Sequence, residues 1–439
     1  MKKHQKLYAC YTELGPKKVM PEGAITGSKK DVLAWMKAKY GKLSEAEMVQ
    51  AEAFFYDGDC TEFSCKDGSS VFLAEILEDD LGAEMEEHEA KAARGTSKKK
   101  AAKSPLRYEI VDGEVAITGC ADDAKGAVVI PKDMEGHPVT SIKWCAFNEA
   151  GRIESVTLPT SMTSVDRGAF MDCKGLKSVT MSSSVTSIDS RAFTGCVALK
   201  SVTLPPRVKS IGDYAFWQCG LKSVRIPASV KSIGEHAFPP LVEFVVDPAN
   251  KVYASKNGML LTKDGKTLVA GVCGNAVIPE GVTCIAEKAF AENQGLKSVM
   301  IPASVKSVGA EAFKSCKGLK SVTIPADVTT IGKEAFRFCK GLSSVAIGKG
   351  VKSICEHAFS GCAIKSVTIP ESVKSIGNGA FAGCPLLGSV MISPGVKKIG
   401  RRAFANCRSL KCVTIPASVT SIADDAFHRL GSAVKVVAE

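Results

Sequence analysis

Apolar residues return in one fixed phrase along most of the chain. In residues 199–216, LKSVTLPPRVKSIGDYAF, Val202 and Leu204 alternate with Ser201 and Thr203 behind an apolar Leu199. A period of two with one apolar side predicts a strand with one buried face. Pro205 then ends pairing and turns the chain. Val208 and Ile211 place a second short extended segment inward, and Gly212 frees the next corner. Phe216 is expected to plug the core from a short helical or 3₁₀ turn. The phenylalanine of this phrase stands at 147, 170, 193, 216, 238, 290, 313, 336, 359, 381, 404 and 427, at intervals of 22 or 23 residues with one of 52. Twelve copies of a unit too small to bury its own apolar face predict a solenoid stabilised by stacking neighbours.

The long interval marks an interruption. After Phe238 the run LVEFVV reads as a strand. Residues 247–274 then read as a hairpin around Lys263, Asp264 and Gly265, inserted as a loop on one face. Insertions of this kind are where repeat arrays often carry recognition elements.

The phrase LKSVRIPASVKSIGEHAF (residues 221–238), with a cysteine three residues after most of the phenylalanines, resembles the BspA-like class of leucine-rich repeats. YEIVDGEVAITGC followed by VVIPKDMEGHPVTSIKWCAF resembles the opening of such arrays, and NKVYASKNGMLLTKDGKTLVAG resembles the hairpin that interrupts them. The resemblance spans residues 106–439. It implies a right-handed solenoid with a curved parallel sheet on the concave face and short extended or 3₁₀ segments on the convex side. It also implies protein–protein contact, adhesion or host-surface binding, with export as an alternative location.

Residues 1–90 read as a separate small α or α+β domain, mostly helical. Apolar residues at helical spacing mark 28–40, capping-box spacing marks 44–55, and 71–81 is a weaker third segment. Eight of the fifteen residues from 75 to 89 are acidic, and residues 91–105 turn lysine-rich, the composition of a charged flexible linker.

Charge adds a bias. The net charge is +11, yet residues 1–105 hold 17 of the 57 basic and 18 of the 46 acidic residues, leaving 40 and 28 for the repeats. Lysines precede the first outward strand position, a serine in all but the last of these coils, where it is Cys412 (Lys177, Lys200, Lys222, Lys297, Lys320, Lys365, Lys411), and the second serine (Lys209, Lys231, Lys306, Lys352, Lys374). Such ridges could follow a polyanion. Stacking aromatics are missing from the same surface, which argues against nucleic acid as the partner. The opening residues lack the apolar core of a signal peptide, and no long apolar run occurs. The expectation is a cytoplasmic monomer whose 17 cysteines are thiols.

Candidate chemistry is sparse. Cys173, Cys196, Cys219, Cys316, Cys339, Cys362, Cys384 and Cys407 should form one column a rung apart; disulfides would fit that spacing, but buried thiols suit a tight inward corner. Phe170, Phe193, Phe216, Phe313, Phe336 and Phe404 should form the core. His236 and His357 share a repeat position in distant copies, and no catalytic constellation, metal set or cofactor motif assembles. The chain therefore reads as a non-enzymatic scaffold for a protein or glycan. Its candidate contacts are the outward strand positions, Ser201, Thr203, Thr323 and Thr368, the residues that break the column, Arg225, Met300 and Met391, and the adjoining Lys200, Lys222 and Lys320.

Overall fold

The computed structural model describes residues 106–121 and 123–430, together with the backbone of the strands at 7–13, 19–26, 61–64, 70–76 and 435–438. The chain divides into two compact units, residues 1–102 and 103–439.

The described part of the first unit is a four-stranded antiparallel sheet and holds no helix. Leu7–Glu13 lies between Val19–Thr26 and Ser70–Ile76, and Thr61–Ser64 pairs with the outer edge of Ser70–Ile76. This corrects the mostly helical reading, because the segment from Val71 is a strand. A short apolar run such as VFLAEI satisfies helical and extended spacing alike, and pairing on both edges decides for the strand. The helices expected at 28–40 and 44–55, and the linker at 91–105, lie outside the described residues.

The second unit is a parallel β-solenoid of about thirteen turns. It opens on an antiparallel hairpin, Leu106–Val111 with Glu114–Cys120, whose second strand pairs in parallel with His137–Ile142. Most of the following coils contribute a longer and a two-residue strand, stacked in register, so that Ser155 faces Ser178 and Ile188 faces Ile211. The continuous ladder belongs to the two-residue segments, which form one run of four strands and one of seven, the latter extended to a ten-stranded sheet by the three longer strands of the insertion. The longer strands pair only in groups of two to four.

The corners carrying phenylalanine are not 3₁₀ helices. The N–H groups of Glu311, Phe313 and Ser315 donate to the carbonyls of Lys333, Ala335 and Arg337 in the next coil, at 2.8, 2.7 and 2.7 Å. Lys314 and Cys316 donate back within the corner, to Glu311 and Phe313. Alternate donors therefore point along the solenoid axis, which a helix forbids. The backbone meets this demand with left-handed residues on both sides of the phenylalanine, as at Glu311 (φ 52°) and Ser315 (φ 59°).

Phenylalanines fill the interior as two stacks, from Phe147 to Phe238 and from Phe290 to Phe427, with ring centroids 4.8–5.4 Å apart. Between them stands the insertion. Its strands Tyr253–Lys256, Met259–Thr262 and Thr267–Ala270 are the first three of the ten-stranded sheet. Leu260 packs into the N-terminal core, whereas Met259 and Leu261 pack into the C-terminal one. The hairpin expected around Lys263–Gly265 is present, Met259–Thr262 pairing antiparallel with Thr267–Ala270, but the insertion forms a septum buried on both faces where a loop on one face was expected.

Candidate functional site

The coils place Ser201, Thr203, Arg225, Met300, Thr323, Thr368, Met391, Lys200, Lys222 and Lys320 at exposed positions. Alternation sets this arrangement: in Ser223–Ile226, Val224 and Ile226 are buried while Ser223 and Arg225 face out. Register brings Arg225 beside Val245, Met300 beside Val277, Thr323 beside Ala346, and Met391 beside both Thr368 and Thr414. Ser201 and Thr203 lie in a coil whose longer segment carries no ladder pairing.

Three members of this outward column escape the phrase search: Val129, Val245 and Val277, exposed at 66%, 46% and 48%. Met300 and Met391 are exposed at 65% and 57%. Aligning on the closing proline would have found Val129 and Val277, which precede IPK and IPE by one position. Val245 hides in the irregular run before the insertion. The column is thus threonine-rich in regular coils and apolar on both sides of the septum.

The lysine ridges are exposed, and part of their charge is neutralised locally. Lys177 pairs with Glu154 at 3.0 Å, Lys306 pairs with Asp327 at 3.4 Å, and the Lys200 ammonium donates to the Val197 carbonyl at 3.1 Å.

All eight column cysteines are buried, and each Sγ–H donates to the carbonyl of the phenylalanine one coil back, at 2.9–3.2 Å. Burial, followed by contact with the Cys339 thiol between them, pushes the Cys316 and Cys362 thiols well up, so they stay protonated. At the septum the column changes residue. Asn293, 1% exposed, donates its amide to the carbonyls of both Pro240 and Val272, two bonds where a thiol supplies one. Phe170, Phe193, Phe216, Phe313, Phe336 and Phe404 are fully buried.

Along the corners, Glu334 is only 8% exposed and lies between Lys314 and Arg337, each 3.0 Å away. Burial pushes its carboxyl up, but the two cations outweigh this and hold it below the usual range. His236 and His357 occupy equivalent left-handed corner positions beside different phenylalanine stacks, and burial lowers both from the ordinary imidazole value. Among the described residues no group of three or more His, Cys, Asp or Glu is placed to hold a metal ion. No helix among them is long and apolar enough to cross a membrane.

These coils match a known family. The family described as BspA type leucine rich repeat region matches residues 129–240, 273–387 and 306–434, more than half of the chain. The chain belongs to the BspA type leucine-rich repeat family. It is similar to a leucine-rich repeat protein from Eubacterium ventriosum, with 26% identity over 75% of this chain and 94% of that one, at a TM-score of 0.58. The pneumococcal vaccine antigen PcpA shares the fold at 18% identity, over 77% of this chain and 98% of that one, with a TM-score of 0.52. No match was found among curated proteins.

Proposed function

We propose that this protein is a non-enzymatic scaffold that binds a protein partner across its long-strand face, taken as the concave side, with the contacts centred where the repeats break at the septum. The observation that carries this reading is the exposed series Val245, Val277 and Met300, joined by Arg225, at positions that regular coils give to threonine. Exposed apolar side chains gathered on one face mark interaction sites, and methionine and arginine are enriched in protein interfaces. A sugar-binding face would rest on rings and amides, which this column does not offer. The eight column cysteines, held as buried thiols on backbone carbonyls, favour a reducing compartment.

Affinity capture with the full chain tests the reading. Met300→Lys and Val277→Lys should abolish recovery of the partner at an unchanged melting temperature, while Lys398→Glu, on the two-residue-strand face, should leave it intact. Loss with Lys398→Glu and retention with Met300→Lys would overturn it.

A further inference from the structure

The septum also creates a cleft on the corner face, well apart in character from the long-strand column. In a regular coil the phenylalanine stands five positions after the inward isoleucine, as Phe290 does after Ile285. In the insertion, Leu268 pairs with Ile285, and the Gly271 N–H donates to the Ala289 carbonyl at 2.7 Å, the bond that phenylalanine makes elsewhere. Gly271 stands only three positions after Leu268. The backbone therefore cuts inward, and Gly271 lies against the Phe290 ring where a side chain would collide.

The missing outer corner leaves a cavity of about 200 Å³ between the corners at 234–238 and 286–290. Its floor includes Val269 and Ala270, which are half-buried, whereas the equivalent Ala215 and Ala312 are fully buried. One wall is aromatic: Phe238 lines the interior, and the His236 ring, stacked on Tyr214 at 5.3 Å, meets the edge of Trp217 at 4.8 Å. Across the mouth, the Lys288 ammonium pairs with Glu235 at 2.7 Å.

We propose that this cleft binds a single aromatic ring bearing a hydroxyl, as in a free phenol or a tyrosine side chain, with the ring between Phe238 and Ala270 and the hydroxyl at the Glu235–Lys288 pair. The size fits, since an apolar cavity of about 150 Å³ already admits benzene. The chemistry fits as well: aromatic edges and faces favour a ring, and the ion pair offers a carboxylate acceptor and an ammonium donor to one polar substituent. Burial holds His236 below its ordinary value, so the wall is uncharged at neutral pH.

Fluorine NMR of 4-fluorophenol with the full chain tests the site, read together with Trp217 indole shifts. Saturable broadening of the probe, with a shift confined to Trp217 among the indoles, is expected. Ala270→Leu fills the cleft and should raise the melting temperature slightly while weakening binding roughly tenfold or more. Glu235→Gln combined with Lys288→Met should leave fluorobenzene binding unchanged and cut the preference for the phenol by roughly tenfold. A Gly-Gly-Tyr-Gly-Gly peptide separates the sources: competition with the probe assigns the site to a partner's tyrosine, and failure to compete assigns it to a free phenol. An unperturbed probe at millimolar concentration, or undiminished binding by a folded Ala270→Leu chain, would overturn the proposal.

Discussion

The thiol of Cys196 donates to the carbonyl oxygen of Phe170, 3.1 Å away and one coil back. The same carbonyl accepts the N–H of Cys173 in its own coil, at 3.4 Å. Every column cysteine thus ties two adjacent corners together through one acceptor. Cys196→Ala removes the tie and the buried sulfur, and should cost about 1–2 kcal/mol, read as loss of hydrogen-exchange protection in the flanking coils.

Accessibility should sort the thiols. At neutral pH, alkylation of the native protein should modify Cys273, which is exposed, and leave the eight column cysteines untouched until denaturant is added. Ready labelling of Cys316 or Cys362 in the folded protein would show that the column is not packed as described.

The phenylalanine stack makes its rungs interdependent. Phe313 lies 4.8 Å from Phe290 and 4.9 Å from Phe336 and is fully buried. Phe313→Ala should cost about 3–5 kcal/mol. Because each coil contacts only its neighbours, the loss should appear as early local melting around residues 290–336, with the coils near Phe170 less affected.

Left-handed corners make a prediction of opposite signs at one position. Gln218 is exposed and held at φ 57°. Gln218→Gly should stabilise by up to about 1 kcal/mol, and Gln218→Val should destabilise by about 1–2 kcal/mol, since a β-branched residue resists that conformation. Thermal melts of the two variants check the sign.

Acid should weaken the fold in two steps. Burial is the main effect that lowers His236, which Glu235, Lys288, Glu292 and Glu311 also face, and His357, which Arg337, Glu356, Glu334 and Lys333 also face. A depressed imidazole value means that the unfolded chain takes up protons first, so stability is full above pH 6.5 and declines as pH falls below it. Glu334, held below the ordinary glutamate value of 4.5, contributes stability that is lost only as pH falls beneath that value. His236→Gln with His357→Gln should flatten the melting temperature between pH 7 and pH 5, and Glu334→Gln should reduce the further loss below pH 4.5. A wild-type melting temperature constant from pH 7 to pH 5 would contradict the assignment.

Much of the architecture was legible residue by residue. Leu199, Val208, Ile211 and Phe216 read inward from spacing alone and are buried, and Ser201 and Thr203 read outward and are exposed. The cysteines three residues after the phenylalanines read as one column. The corner conformation was not legible. Glu311 and Ser315 are ordinary residues without glycine's conformational freedom, and only the axial bonds to Lys333 and Arg337 require them to be left-handed. The strand from Val71 was misread for the related reason that its partners lie elsewhere in the chain.

By itself, the sequence determined the repeat, its inward and outward positions and its membership of a family, because period-two alternation and a regular interval are local properties that survive without coordinates. Tertiary structure decided what the 52-residue interval became. Whether Met259, Leu260 and Leu261 form a surface loop or a septum depends on cores lying on both sides of them, and the cleft depends on a corner two residues shorter than those stacked around it. Both are relations between coils, set by long-range packing that no single copy of the phrase records.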